Sequence, residues 1–179
     1  MKNLVICLFL GLLAVMPSLA QSDMVGDKLA IGLQLTQHQN DFGLGLNLSS
    51  PYFANKKMTI RLRGNMVWNQ HASGPNETTW SPYSNFSFGL ATISGNLGDQ
   101  IRVYGEGGAI ALFPSTQFSN ESVHFGGYGL FGFEFFMYKH DNYFIEIGGV
   151  GTGATANKIP GSPIYSNGMV VNVGYRHQF

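Results

Sequence analysis

Seven charged side chains stand inside otherwise apolar or small-residue stretches: Arg61, Arg63, Arg102, Glu106, Glu134, Glu146 and Arg176. Guanidinium and carboxylate in such near-equal number are partners for charge-assisted, often bidentate hydrogen bonds. A second group, His71, Ser73 and Glu77 in "HASGPNE", has the residue types of a base, a nucleophile and an acid. A serine nucleophile, however, needs a rigidly held base with a third group to orient it. A stretch rich in Gly and Pro promises no such rigidity. The five histidines (His38, His71, His124, His140, His177) are too scattered for a metal-ligand spacing, and each reads as an interfacial polar residue. "GEGGAI" and "GGVGTG" have the look of phosphate loops, but no helix follows to present its N-terminus. Four N-x-S/T sequons (Asn47, Asn76, Asn85, Asn120) read as incidental. No catalytic residue, cofactor or metal is therefore expected.

The seven charges must be positioned by strands. Apolar residues recur with period two, and the i, i+3, i+4 spacing of a helix does not appear. Eight runs carry the alternation: "KLAIGLQLTQ" (28–37), "FGLGLNLS" (42–49), "MTIRLRGNMVW" (58–68), "NFSFGLATIS" (85–94), "IRVYGEGGAIALF" (101–113), "VHFGGYGLFGFEFFMY" (123–138), "YFIEIGGVGTGATA" (143–156) and "MVVNVGYRHQF" (169–179). Successive side chains of a strand point to opposite faces. All seven charges fall on the parity opposite the principal apolar residues of their runs, which random placement would give about once in a hundred. The fifth run alternates least cleanly, because Ile110 and Leu112 share a parity with Arg102.

Charged residues are only 11% of the chain, Gly is 24 of 179 and aromatics reach 13%. Soluble domains are typically about 25% charged. Runs of about 9–11 residues suit a tilted strand that crosses a bilayer, and a charge facing lipid at mid-membrane costs about 2–4 kcal/mol. The charges are thus expected inside a barrel and the apolar residues against lipid. Ten basic and ten acidic residues leave no net charge, and no basic stripe points to nucleic acid.

At the N-terminus, Lys2, the apolar stretch 4–16, Pro17 and "SLA" (18–20) form a secretory signal peptide too short to span. Residues 1–20 are expected to be cleaved, leaving 21–179 as one barrel domain. Cys7 lies within the apolar stretch, so no disulfide follows. Longer polar loops are expected at 69–84, 114–122 and 157–168, on the same side as the tight 38–41 turn. Connections at 95–99 and 139–142 and the longer one at 50–57 would lie on the other side with both termini. Aromatic girdles are expected from Tyr52, Tyr138, Tyr143 and Phe179 at that level and from Trp68, Trp80, Phe113 and Phe125 at the opposite one. Nine glycines on the inward parity, Gly132 and Gly174 among them, would ease curvature or admit long side chains.

The last residues, "NVGYRHQF", resemble the C-terminal signal by which bacterial outer-membrane barrels are recognised for assembly: Asn172, Gly174, Tyr175 and Phe179 match, and His177 departs. With the signal peptide and the eight runs, the chain resembles the small outer-membrane β-barrel superfamily of OmpA and OmpX type. That resemblance implies an all-β, eight-stranded antiparallel up-and-down transmembrane β-barrel with an Arg/Glu-filled lumen and both termini periplasmic. It implies contact with outer-membrane lipids including lipopolysaccharide, passage through the barrel-assembly machinery, and a monomer. Members are adhesins, membrane stabilisers, narrow pores or lipid-modifying enzymes. A non-enzymatic structural or surface-interaction role is expected, with a narrow solute channel as the alternative. A lipid A-modifying hydrolase is the remaining one: "HASGPNE" is similar to the H-x-S motif of the lipid A deacylases, with Gly74 where Asn is usual.

Overall fold

The computed structural model describes residues 28–39, 41–74, 77–138 and 140–179, apart from the side chains of Ser73 and Gly74. The signal peptide expected over 1–20 lies outside the described residues. Eight strands follow in order: β1 (Ala30–His38), β2 (Asp41–Ser49), β3 (Met58–Gly74), β4 (Glu77–Leu97), β5 (Ile101–Phe113), β6 (His124–Tyr138), β7 (Asp141–Gly151) and β8 (Gly168–Gln178). Each pairs antiparallel with its neighbours, and β8 closes on β1 from Ala30 opposite Gln178 to His38 opposite Val170. Closure leaves no open edge, the condition a sheet must meet in hydrocarbon, where unpaired backbone groups cost several kcal/mol each.

The alternation sorts the two faces as the parity demands. Leu33 is 64% exposed, Phe86 62% and Phe125 73%, all on the outer surface. Asn47, Arg61, Tyr104, Phe144 and Glu146 are buried on the inner one. The apolar residues therefore form an outward band, not a shared core. One end of the barrel carries the start of β1, the end of β8 and the connections 50–57 and 98–100, with His140; the other carries 114–123 and 152–167. We call these the terminal end and the loop end.

Three expectations need correction. The segment 69–84 is no polar loop: it extends β3 and β4 into a hairpin, with His71 opposite Thr79 and Gln70 opposite Trp80. Period two persists through that stretch, and Thr78, Thr79 and Trp80 are residues that favour strands. The seventh run stops at Gly151, short of 156, because the chain turns through Gly153, whose φ of +66° suits glycine. Tyr52 does not join a girdle. It turns under the barrel, its ring centroid 5.0 Å from the Arg102 guanidinium carbon. Tyr138, Tyr143, Trp80, Phe113, Phe125 and Phe179 do lie exposed on the exterior.

Candidate functional site

An eight-stranded barrel is just wide enough inside for side chains, and here the seven charges fill its middle. Arg61 and Arg63 sit two apart on β3, so both enter the lumen, as do Arg102 and Glu106 on β5. Glu134 enters from β6, Glu146 from β7 and Arg176 from β8. None of the seven side chains is more than 4% exposed.

Glu146 is the hub. Its oxygens accept from Arg63 Nη1 at 2.5 Å, Arg63 Nη2 at 2.9 Å, Arg176 Nη2 at 2.9 Å, Tyr104 Oη at 2.5 Å and Asn172 Nδ2 at 2.9 Å. Glu106 accepts from Arg61 at 3.0 Å, Arg63 at 2.5 Å and the Tyr128 hydroxyl at 2.8 Å. Glu134 joins Arg61 at 2.7 Å and Arg176 at 2.6 Å, with Arg102 at 3.5 Å. Bringing ions out of water costs several kcal/mol each, so such a group stands only when its oxygens and N–H groups are matched together.

Among these seven, four guanidinium groups stand with three carboxylates, and aromatic faces line the guanidinium groups as well. The Arg176 guanidinium carbon lies 3.8 Å from the Phe144 ring centroid and that of Arg61 4.3 Å from Tyr104. Arg102 lies between Phe136 at 4.7 Å and Tyr52 at 5.0 Å. A ring's negative face is worth about 2 kcal/mol to a desolvated cation. Tyr104 has room because Gly132 lies against its ring, where a β-carbon would collide. Gly174 makes the same space for Phe144.

Toward the loop end comes a layer of amides. Arg176 Nε donates to Asn47 Oδ1 at 2.9 Å; Asn47 donates to Gln34, Gln34 to Asn65 at 2.7 Å, and Asn65 to Asn85 at 2.8 Å. A cavity of about 30 Å³ remains between this layer and Ile110, Val150 and Val170, enough to hold water. Above it the long loops fold back into the mouth. Phe118 and Tyr165 are buried against Tyr83, Leu112, Val67, Ile110 and Ile159. Their rings meet edge to face, Tyr83–Tyr165 at 5.2 Å and Phe118–Tyr165 at 5.0 Å. Loops 114–122 and 157–168, polar over most of their length, thus seat their few buried apolar residues on the inward Ile110 and Leu112 that broke the alternation of the fifth run.

The residues matching the assembly signal each have a place in the barrel. Asn172 bonds Glu146, Gly174 admits Phe144, and the Tyr175 hydroxyl donates to Asp141. Phe179 extends the seam through its N–H to Leu29 O at 3.1 Å and stands edge-on to His177. Of the hydrolase group, His71 lies on β3 and its Nε2 is 2.9 Å from Ser81 Oγ, which also contacts Gln117 at 2.9 Å. The ring's other nitrogen faces the Ala72 carbonyl, 3.3 Å away. The Ser73 side chain lies outside the described residues. Residues missed in the sequence are of two kinds. Tyr104, Tyr128 and Phe144 share the parity of the charges beside them and were legible on that ground; Phe118 and Tyr165 carry no periodic signal.

The N-terminal β-barrel domain of Pseudomonas aeruginosa OprF is similar in structure, with a TM-score of 0.61 over 86% of this chain and 98% of that one. The outer membrane protein OprG of the same organism gives 0.55 over 89% and 99%. The fold is that of the small outer-membrane β-barrels. Sequence identities of 10% and 13% carry the likeness no further than the fold. No family model and no curated protein matches the chain.

Proposed function

We propose that the chain is an integral outer-membrane barrel that neither conducts solutes nor catalyses. It anchors in lipid, with lipopolysaccharide among its neighbours, and presents the loop end outward as a structural or interaction surface. The observation that supports this reading is the packing of the lumen: ion-paired Arg and Glu, then amides, then the Phe118–Tyr165 contact lie in series across it. Both termini would lie on the periplasmic side, where short turns are usual in this fold. The protein would act as a monomer, and Asn172, Gly174, Tyr175 and Phe179 would serve recognition by the assembly machinery as well as packing. The imidazole of His71, oriented by a backbone carbonyl and not by a carboxylate, supports the non-enzymatic reading.

Planar-bilayer recording tests it. Purified protein should give no reproducible unit current, and Phe118→Ala should give none either, since the charged middle remains. A reproducible conductance in the unaltered protein overturns the proposal in favour of the narrow channel. Lipid A mass profiles should be identical in cells making the unaltered protein and Ser73→Ala; a difference would restore the hydrolase.

A further inference from the structure

Asp41 opens β2 at the loop end and is 3% exposed. Its Oδ1 accepts from Asn69 Nδ2 at 2.7 Å, and its Oδ2 accepts from the Tyr83 hydroxyl at 2.8 Å and from the Ser166 N–H at 3.3 Å. All three donors are neutral, and no ion pair joins this buried carboxylate to a cation among the described residues. His38, its partner in register, instead has Nε2 3.2 Å from Thr36 Oγ1. A buried charge without a counter-ion is costly.

Beside Asp41 lies a second cavity of about 60 Å³, lined by Asp41, Asn69, Ser166, His38 and Tyr165 among others. Among the described residues, buried oxygens of three lining residues have no hydrogen-bond partner, Asn69 Oδ1, Ser166 Oγ and the Tyr165 hydroxyl, and neither has the ring nitrogen His38 Nδ1. Asn69 is 7% exposed and Ser166 1%. Only the NH₂ of an amide can face a carboxylate, so the bond to Asp41 fixes the orientation of Asn69 and leaves its oxygen unused. A carboxylate has about four acceptor positions; three are filled here, and one remains on Oδ1. One negative charge and open oxygen positions on Asp41, Asn69 and Ser166 therefore border a single polar space, with the Tyr165 hydroxyl on its wall.

We propose that this space is a site for a hard divalent cation of the calcium class, ligated by the Asp41 carboxylate, Asn69 Oδ1 and Ser166 Oγ, with water completing the shell. An irregular mixture of carboxylate, amide and hydroxyl oxygens suits calcium better than magnesium, which demands near-octahedral geometry. A single carboxylate makes the site weak, with half-saturation at about 0.1–1 mM, as in extracellular modules. Because Asp41 and Asn69 belong to β2 and β3 and Ser166 to the 152–167 loop, occupancy ties the loop to the barrel wall.

The test uses the full-length mature protein in detergent micelles. Terbium, a luminescent stand-in for calcium, should give saturable emission sensitised by Tyr83 and Tyr165, and calcium should displace it more effectively than magnesium. Asp41→Asn keeps the size and removes the charge; it should weaken binding about tenfold or more, in line with the dependence of such sites on ligand charge. Ser166→Ala lies outside the strands and should weaken it several-fold while the barrel keeps its heat-modifiable migration. Should Asp41→Asn fail to fold, Ser166→Ala decides. Absence of saturable emission from the unaltered protein overturns the site, as does emission undiminished in the folded variants. Displacement by sodium as effective as by calcium at equal concentration overturns the divalent assignment.

Discussion

Replacing Glu146 with Gln tests the charged lumen most directly. The substitution conserves volume and changes one formal charge. Glu146 accepts two bonds from Arg63, one from Arg176, one from Tyr104 and one from Asn172. In the variant the amide nitrogen must face a guanidinium or a donor, and two carboxylates must answer four arginines in place of three. Removing one partner from a buried, hydrogen-bonded pair costs about 3–5 kcal/mol. That is a large share of the roughly 5–15 kcal/mol that holds a typical folded domain. The assay is reversible urea unfolding from lipid vesicles, followed by the fluorescence of the two tryptophans, Trp68 and Trp80. The midpoint should fall with the slope unchanged. Adding Arg63→Met to Glu146→Gln restores the original charge balance, so the double variant should lose less than the sum of the two single losses. A loss below about 1 kcal/mol for Glu146→Gln would refute the reasoning, because paired charges in a buried interior cannot be that indifferent to one another. Strict additivity would refute it as well.

Two further outcomes follow from the same geometry. Phe133→Arg places a charge on the lipid side of β6, next to the inward Glu134, and should cost about 2–4 kcal/mol near the membrane midplane; folding yield into vesicles measures it, and full tolerance would count against the outward assignment. Burial, with Glu121 and Asp41 adding to it, pushes the Tyr165 phenol up to about 12. A folded-state value above the unfolded value of about 10 means that Tyr165 contributes stability fully below pH 10 and loses it as pH rises toward 12. Tyr83 and Tyr175 are raised as well, so the difference between alkaline titrations of the unaltered protein and Tyr165→Phe isolates this group; it should ionise late and together with protease cleavage in the 152–167 loop, and a difference centred at the ordinary value would contradict the buried seat.

The faces of the strands were written in the residues, and their partners across the lumen were not. Alternation is a local property: once a run is extended, residue i and residue i+2 share a side whatever the rest of the chain does. Arg61, Arg63, Glu134 and Glu146 were therefore assignable to the interior without coordinates, and so were Tyr104 and Phe144 by the same parity. Which carboxylate meets which guanidinium depends on strand order, stagger and tilt around the closed ring. Arg63 reaches Glu146 from 83 residues away, a pairing no local spacing encodes. The hairpin of β3 and β4 was masked by its Gly, Pro and Asn, turn signals that outweighed the persistent alternation around them. Phe118 and Tyr165 belong to segments without period, and their burial arises only because the barrel mouth offers Ile110, Leu112 and Tyr83 as a seat. The same holds for Asp41 and Ser166, separated by 125 residues. Local periodicity decided which side of the wall each strand residue occupies; only closure of the barrel, which fixes distances across the lumen and the space left at its mouth, decided what each one touches.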